Sequence, residues 1–311
     1  MNASDLNGLA LAKNHPTSDA GPASNTARFD SQPLEDAIAA STTDPTRLLQ
    51  RRYGDASLER YSPANQVIEV LLRHRSARRF FPEPIGDDLI KVIVAAAQSA
   101  STGLNFQNWS VVLVRDEARK AKIATLAADQ QFIRDAPVLL IWVADWARAR
   151  AIAGWHNAPT DGADFFDSTI STIVDTALAA QNALTAAESL GYGACFVGAI
   201  RNNLEPIADE LGLPPHTFPL VGLSIGRIDP TDKASIKPRL PQEAILHRER
   251  YAAPDPQLIE TFEKRIGAYY ESQGDPHSWI ASVLRRVRGG PSMEGRERIR
   301  DILVERGLPS W

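Results

Sequence analysis

The chain has 311 residues, of which 43% are hydrophobic and 23% are charged, a composition typical of a folded protein with a sizeable core. Its net charge of −4 argues against a general nucleic-acid or anionic-membrane protein, because such proteins need a broadly basic surface. The single cysteine excludes an internal disulfide, and the six histidines lack metal-ligand spacing, so we expect no metal.

Residues 1–60 are predicted to form an N-terminal extension that is partly disordered. Residues 1–32 hold one aromatic side chain among many small and polar ones, too little apolar surface to offset the entropy of ordering. Further on, "TTDPTRLLQRRYG" predicts a short helix that starts at Pro45 and stops at Gly54. Two roles stay open: a dispensable tail with one helix packed on the core, or a lid or partner-docking segment.

No segment has the basic start and apolar centre of a secretory leader. The longest apolar run, residues 136–144, is far too short to cross a bilayer. We therefore expect a cytoplasmic protein without a membrane-spanning part.

Residues 61–311 are predicted to form one domain that ends in a C-terminal helical excursion. A helix capped by Ser62 is expected in "YSPANQVIEVLLRHRS", where apolar residues recur at helical spacing. Further helices are expected at 87–99, 117–128, 164–190 and near 204–211, and strands at 109–116, 137–145, 193–200 and 218–226. Three more helical segments follow "KPRLP". On pattern alone, the alternation predicts a doubly wound parallel sheet, but the glycine-rich nucleotide signatures GxGxxG and GxxxxGK[ST] are missing.

Positive charge is concentrated in two short stretches. In "HRSARR" (74–79), arginine forks match phosphate oxygens and Ser76 adds a hydroxyl donor, although a solvated basic helix end is the alternative. In "KPRLP" (237–241), prolines favour an extended chain that projects Lys237 and Arg239 to one side. Between the two stretches, "STGLNFQNW" and "FVGAIRNN" offer glycines and amides that suit a flat heterocycle.

These motifs, together with "AQNALTAAESLGYGAC" and "PLVGLSIG", resemble the FMN-dependent nitroreductase family. The resemblance is to its NADPH-oxidising branch of oxygen-insensitive nitroreductases and flavin reductases, and it runs from about Gln66 to the C-terminus. It implies an α+β fold with a mixed, largely antiparallel central sheet flanked by helices. It also implies an intertwined homodimer with FMN at the subunit interface, and it contradicts the parallel sheet.

Matched motif by motif, the resemblance assigns FMN binding to a set of residues in five stretches: His74, Arg75, Ser76, Arg78, Thr102, Gln107, Gln130, Phe196, Val197, Gly198, Ala199, Lys237 and Arg239. Two positions depart from the family pattern, since Ala199 replaces a second glycine and Phe196 commonly aligns with tyrosine. No catalytic side chain is expected, because flavin N5 itself would accept and donate hydride.

The implied activity is two-electron transfer from NAD(P)H to nitroaromatic or quinone acceptors by a ping-pong mechanism. The alternatives are an NAD(P)H:FMN reductase that supplies reduced flavin to a monooxygenase, and a non-catalytic flavin-binding sensor. The small-residue stripe of 170–190 is interpreted first as core packing and second as a dimer contact, and Cys195 as a buried core thiol.

Coenzyme selectivity is expected to depart from that of the NADPH-selective relatives. Those proteins place an arginine in the loop that corresponds to "GDPHSW" (274–279), where it binds the 2′-phosphate. Here that loop offers only His277, and histidine is mostly neutral near pH 7. NADH should therefore compete with NADPH, unless the following arginines replace the missing contact: Arg285, Arg286 and Arg288.

Overall fold

The computed structural model describes residues 45–58 and 65–308. The segment 1–44, the predicted boundary between residues 60 and 61, and the predicted cap Ser62 lie outside them. Helix α1 spans Pro45–Tyr53, and Gly54 follows it with a φ of +60°. The left-handed conformation favours glycine, so this residue ends the helix as predicted.

The described strands form one four-stranded antiparallel sheet: β1 Trp109–Val114, β2 Val138–Asp145, β3 Gly193–Val197 and β4 Thr217–Gly226, in the order β1-β2-β4-β3. The α+β class is therefore confirmed, and the parallel sheet inferred from alternation alone is wrong. Two helices, α4 (Glu117–Leu126) and α5 (Gln131–Asp135), connect β1 to β2. Because β1 and β2 are antiparallel, this connection begins and ends at the same end of the sheet.

The remaining described helices are α2 Gln66–Arg73, α3 Asp87–Gln98, α6 Ala147–Trp155, α7 Phe166–Ser189, α8 Leu204–Glu210, α9 Pro256–Ser272, α10 Trp279–Val287 and α11 Ile299–Glu305. Asn65 caps α2, because its side chain accepts a hydrogen bond from the Ile68 backbone N–H at 3.0 Å. The sequence did not predict α5 or α6.

The long helix α7 packs against α3 and one face of the sheet. Its alanines 179, 180, 183 and 187 are buried there among Ile93, Trp142 and Leu223. On the other face, α4 and α8 bury Ile123 and Ile207 against β2, which is buried along its whole length. The small-residue stripe of 170–190 is thus core packing, as predicted.

A second row of α7 is apolar and exposed. Phe166, Ile170, Val174 and Leu178 follow each other at four-residue spacing, and 43–48% of each surface is accessible. Residues at this spacing lie on one helix face.

Candidate active site

The basic stretch 74–79 runs alongside β3. Ser76 pairs with Ala194 in an isolated parallel bridge, and the Ala77 N–H donates to the Ala194 carbonyl at 3.1 Å. This pairing places the stretch next to β3, which leads directly into the predicted flavin-contacting residues 196–199. Cys195, also in that strand, is 2% exposed, and burial raises the pKa of its thiol. A core thiol is what the sequence predicted.

Carboxylates of the same chain hold the first two side chains of the stretch. His74 Nδ1 lies 2.7 Å from Glu188 Oε1, and Arg75 Nη1 lies 3.4 Å from Asp232 Oδ2. Asp232 Oδ2 also accepts a hydrogen bond from the Arg78 backbone N–H at 3.1 Å. His74 and Arg75 are therefore engaged within the protein, whereas the guanidinium of Arg78 is not held by Asp232.

Arg78, Lys237 and Arg239 form a group that we call the cationic cluster. Burial lowers the pKa of Lys237, and the charges of Arg78 and Arg239 lower it further. Among the residues described, none of the three forms an ion pair with a carboxylate. Lys237 Nζ instead lies 3.4 Å from the Tyr270 hydroxyl and 5.0 Å from the centre of its ring. Positive charge without a protein counterion suits a phosphate.

Gln130, just before α5, has a buried side-chain oxygen without a hydrogen-bond partner among the described residues. Leaving such a group unsatisfied costs about 1–3 kcal/mol. Phe132, two residues further on, lies under the Arg78 guanidinium, which is 5.8 Å from the centre of the ring. The unsatisfied oxygen of Gln130 favours a ligand with an N–H or O–H donor.

The strand end 196–199 differs from its prediction in one respect. Strand β3 stops at Val197, and a tight 3₁₀ turn, Gly198–Asn203, replaces the last predicted strand residues. Ala199 is 7% exposed and packs in the core with Val197 and Ile200. The substitution of the second family glycine is thus accommodated by burial of the methyl group.

The loop 102–107 is fixed to α7 by Asp175. The Thr102 hydroxyl donates to Asp175 Oδ2 at 2.5 Å, the Gly103 N–H donates to Oδ1 at 3.2 Å, and the Gln107 N–H donates to Thr102 Oγ1 at 2.9 Å. Leu104, Asn105 and Gln107 all have positive φ angles, between 50° and 59°. Only a well-anchored loop keeps such conformations in residues other than glycine.

This loop is distant from the basic stretch along α7. Asp175 and Glu188, the α7 partners of Thr102 and His74, are 13 residues apart, which corresponds to about 20 Å of helix. The loop with Thr102 and the basic stretch with His74 are therefore held at points of α7 about 20 Å apart.

The predicted coenzyme-binding residues fall into two places. The exposed His277 ring stacks on Tyr270, with 3.5 Å between ring centres, and its Nδ1 lies 3.0 Å from the Asp275 carbonyl oxygen. Arg285, Arg286 and Arg288 are exposed at the end of α10. Arg286 lies near Arg201 and Arg296, where its charge adds to burial in lowering the pKa of both. His277 thus neighbours the cationic cluster, and Arg286 belongs to a separate arginine group.

A cavity of about 580 Å³ lies between α9, α10 and the segment 237–240. Aromatic rings form much of its wall: Tyr53, Phe262, Tyr270 and Trp279. Lys237 and Arg239 both reach it, as expected of an extended "KPR" segment that projects the two side chains to one side. The cavity therefore offers flat apolar surfaces next to two positive charges.

Three residues with a clear role in this geometry were not identified from the sequence: Asp175, Glu188 and Asp232. Asp175 and Glu188 left one signal, because each is a carboxylate in an otherwise small and apolar stretch of helix. The described residues contain no group of histidine, cysteine, aspartate and glutamate side chains that could hold a metal ion. In the same part of the chain, every helix is too short or too polar to span a membrane.

Two family models match the chain, the nitroreductase family over residues 71–227 and the nitroreductase family C-terminal domain over residues 237–310. An FMN reductase [NAD(P)H] of Bacillus subtilis is 38% identical, over 68% of this chain and 94% of the relative. An oxygen-insensitive NADPH nitroreductase of Salmonella typhimurium is 36% identical, over 67% of this chain and 84% of the relative.

Solved structures of related proteins also resemble this chain. NfrA2 of Bacillus megaterium superposes with a TM-score of 0.75 at 31% identity, covering 80% of this chain and all of that one. The NADPH:FMN oxidoreductase of Vibrio harveyi in complex with NAD⁺ superposes with a TM-score of 0.72 at 30% identity, covering 79% of this chain and all of that one. On sequence and on structure alike, the chain belongs to the nitroreductase family.

Proposed function

We propose that the protein is an FMN-dependent oxidoreductase that takes two electrons from NAD(P)H and passes them to nitroaromatic or quinone acceptors. The observation that carries the proposal is the cationic cluster of Arg78, Lys237 and Arg239, which has no carboxylate counterion among the described residues. The named activities of the relatives, FMN reductase and NADPH nitroreductase, support the same conclusion.

The residues present fit FMN. Arg78, Lys237, Arg239 and the Ser76 hydroxyl would hold its phosphate dianion, and the unsatisfied oxygen of Gln130 would accept a hydrogen bond from an N–H group of the ring. The strand end 196–199 would lie against the ring system. When bound, FMN supplies a two-electron carrier that accepts and donates hydride at ring N5. The protein needs no acid–base pair of its own, so its task is to bind, orient and exclude water.

A homodimer would complete this site. The exposed α7 row from Phe166 to Leu178 supports a dimer, since an apolar surface of this kind marks an interaction site. The distance of about 20 Å along α7 between the partners of Thr102 and His74 supports it as well. Thr102 and Gln107 of one subunit would then serve the flavin held by the cationic cluster of the other.

The aromatic cavity next to Lys237 and Arg239 is the proposed entry for coenzyme and acceptor. Its flat walls suit a nicotinamide, a quinone or a nitroaromatic ring. If both ligands use one site in turn, the coenzyme must leave before the acceptor enters. His277 lies beside this cavity through its contact with Tyr270. A cytoplasmic location, where NAD(P)H is plentiful, is part of the proposal.

Initial-rate kinetics test this proposal. With NADPH varied at several fixed concentrations of a quinone, the double-reciprocal lines should be parallel, because the two substrates never occupy the enzyme together. Intersecting lines, or no turnover of either coenzyme with any of several quinones and nitroaromatics, would contradict it.

A second candidate is an NAD(P)H:FMN reductase that releases reduced flavin to a monooxygenase. The match to a relative named FMN reductase, 38% identical over 94% of its length, favours this alternative. Release of FMN by the enzyme on reduction, measured by rapid ultrafiltration under anaerobic conditions, would distinguish it from an enzyme that retains its flavin.

A further inference from the structure

Arg52 occupies an unusual place for an arginine. It lies in α1, outside both ranges matched by the family models, yet only 7% of its surface is exposed. Burying a guanidinium is unfavourable unless its N–H groups find acceptors. The preceding residue, Arg51, carries the same charge and is exposed to solvent. The contacts of Arg52 must therefore explain its burial.

Its guanidinium donates hydrogen bonds to three backbone carbonyl oxygens in two separate segments. Nη2 lies 2.7 Å from the His74 oxygen and 2.8 Å from the Leu72 oxygen, and Nη1 lies 3.2 Å from the Lys237 oxygen. The backbone adds a fourth tie, since the Arg239 N–H donates to the Arg52 carbonyl at 2.8 Å. Arg52 thus connects the start of the basic stretch to the "KPR" segment.

These two segments carry the cationic cluster. Arg78 extends from the first, and Lys237 and Arg239 belong to the second. The positive charges repel each other: burial and, after it, the charge of Arg239 lower the pKa of Arg52 to about 10, against the opposing effects of Glu188 and Tyr53. The hydrogen bonds of Arg52 to both segments oppose this repulsion.

The chain is itself anchored just after Arg52, at the C-terminal end of α1. Arg265 Nη2 lies 2.7 Å from Asp55 Oδ2, and Gln242 Nε2 donates to the Tyr53 hydroxyl at 3.1 Å. Leu48 is buried on the same helix. Arg52 therefore belongs to a segment that side-chain contacts and the burial of Leu48 hold against the rest of the protein.

We propose that Arg52 is a positioning residue of the flavin site, which holds residues 72–74 and 237–239 at the spacing that lets Arg78, Lys237 and Arg239 meet one phosphate. Arg52 acts through these segments and touches neither cofactor nor substrate. The inference rests on the proposed function, because it takes the phosphate to be that of FMN. On this proposal, helix α1 contributes to flavin binding through Arg52.

The test compares flavin binding to apoproteins. Arg52→Gln removes the fork, Arg52→Lys keeps the charge but cannot span both segments, and Arg51→Gln is the matched control with the same loss of charge on the exposed side of α1. Dissociation constants are measured by fluorescence for FMN and for riboflavin, which lacks the phosphate. Thermal unfolding of each apoprotein is recorded alongside.

We expect Arg52→Gln to raise the FMN dissociation constant by about tenfold or more and to change that of riboflavin far less, so that discrimination between the two flavins falls. Arg52→Lys should lie between wild type and Arg52→Gln, and Arg51→Gln should match wild type. If Arg52→Gln does not give folded apoprotein, the ratio of the riboflavin to the FMN dissociation constant in Arg52→Lys decides instead.

Two results would overturn the inference while leaving the proposed function intact. One is an unchanged FMN constant in the Arg52 variants. The other is an equal rise in the dissociation constants of both flavins, which a general loosening of the fold would produce. Wild-type apoprotein that binds neither flavin would overturn the proposed function together with the inference.

Discussion

Arg78 is the residue on which the proposed phosphate contact depends most directly, because its backbone is fixed by Asp232 while its guanidinium has no carboxylate partner among the described residues. A charge-assisted hydrogen bond contributes about 1.5–3 kcal/mol. Arg78→Ala should therefore raise the FMN dissociation constant about ten- to a hundredfold. Titration of apoprotein with FMN measures it.

The neighbouring Arg79→Ala is the matched control. Arg79 is also exposed, and its guanidinium donates to the Thr231 hydroxyl at 3.5 Å. The Arg79→Ala substitution removes the same charge from the same stretch, so we expect a wild-type dissociation constant for FMN at equal salt concentration. Equal losses in both variants would mean that only the general field of the stretch matters.

Gln130 allows a prediction in which stability and binding change in opposite directions. Replacing its unsatisfied side chain by the apolar, similarly sized methionine should stabilise the apoprotein by about 1 kcal/mol, because no buried carbonyl is then left unpaired. The same change should weaken FMN binding. Chemical denaturation and flavin titration measure the two effects.

Gln131→Met serves as the control for this pair of measurements. Gln131 is exposed, and its side chain donates only an exposed hydrogen bond to Asp135 at 2.7 Å, so stability should fall by no more than about 0.5 kcal/mol and FMN binding should not change. A Gln130→Met apoprotein that is less stable than wild type would show that this oxygen has a partner when flavin is absent.

At the scale of single residues, the sequence revealed the charges of the candidate site but not their supports. Arginine and lysine were visible because they gather in short stretches, 74–79 and 237–239. Their partners are distant in sequence: Glu188 is 114 residues from His74, and Asp232 is 157 residues from Arg75. No local pattern connects positions so far apart, because the fold alone brings them together.

Among the elements, long segments with a clear apolar period were predicted well, and short or evenly polar ones were not. Helix α7 and strand β2 lie within a few residues of their predicted bounds. Helix α6 has no buried residue, and α5 has only five residues, so neither left a period in the sequence. Alternation of helix and strand does not specify strand direction, so it could not show that β1 and β2 are antiparallel.

The exposed row of α7 carries the prediction that belongs to this scale. Val174→Glu places a charge in the middle of the proposed dimer contact, where burial without a partner is unfavourable. We expect the variant to sediment as a monomer in analytical ultracentrifugation and to lose FMN on dilution, because Thr102 and Gln107 of the second subunit are then missing.

Val304→Glu is the control, since Val304 on α11 is 42% exposed and Val174 is 48% exposed. It adds the same charge at a similar depth and should leave the dimer intact. A Val174→Glu protein with unchanged mass and flavin content would place the subunit contact elsewhere, and a monomeric wild type would rule out the shared site.

At the scale of the whole molecule, coenzyme choice combines distant parts of the chain. Asp275 and His277 offer no fixed positive charge for a 2′-phosphate, and Arg286 lies with Arg201 and Arg296 instead of with Lys237. Loss of one contact of about 1.5–3 kcal/mol erodes preference ten- to a hundredfold. NADH should therefore compete, with an NADPH preference in kcat/KM below about a hundredfold.

Specificity constants for both coenzymes, with one acceptor at pH 7 and low fixed salt, decide the matter. A larger NADPH preference would contradict this expectation and would indicate that a residue at the C-terminal end of α10 binds the 2′-phosphate. Arg285→Ala, Arg286→Ala and Arg288→Ala, compared one at a time, would then locate the residue that binds the 2′-phosphate.

The central claim is that the cationic cluster and its surroundings hold an FMN that cycles between coenzyme and acceptor. Purified protein reconstituted with FMN and freed of excess flavin tests it in one anaerobic cuvette. We expect one equivalent of NADPH or NADH to bleach the yellow absorbance, and a nitroaromatic or quinone to restore it. A bound flavin that stays yellow with both coenzymes would contradict the account and favour a flavin-binding sensor without turnover.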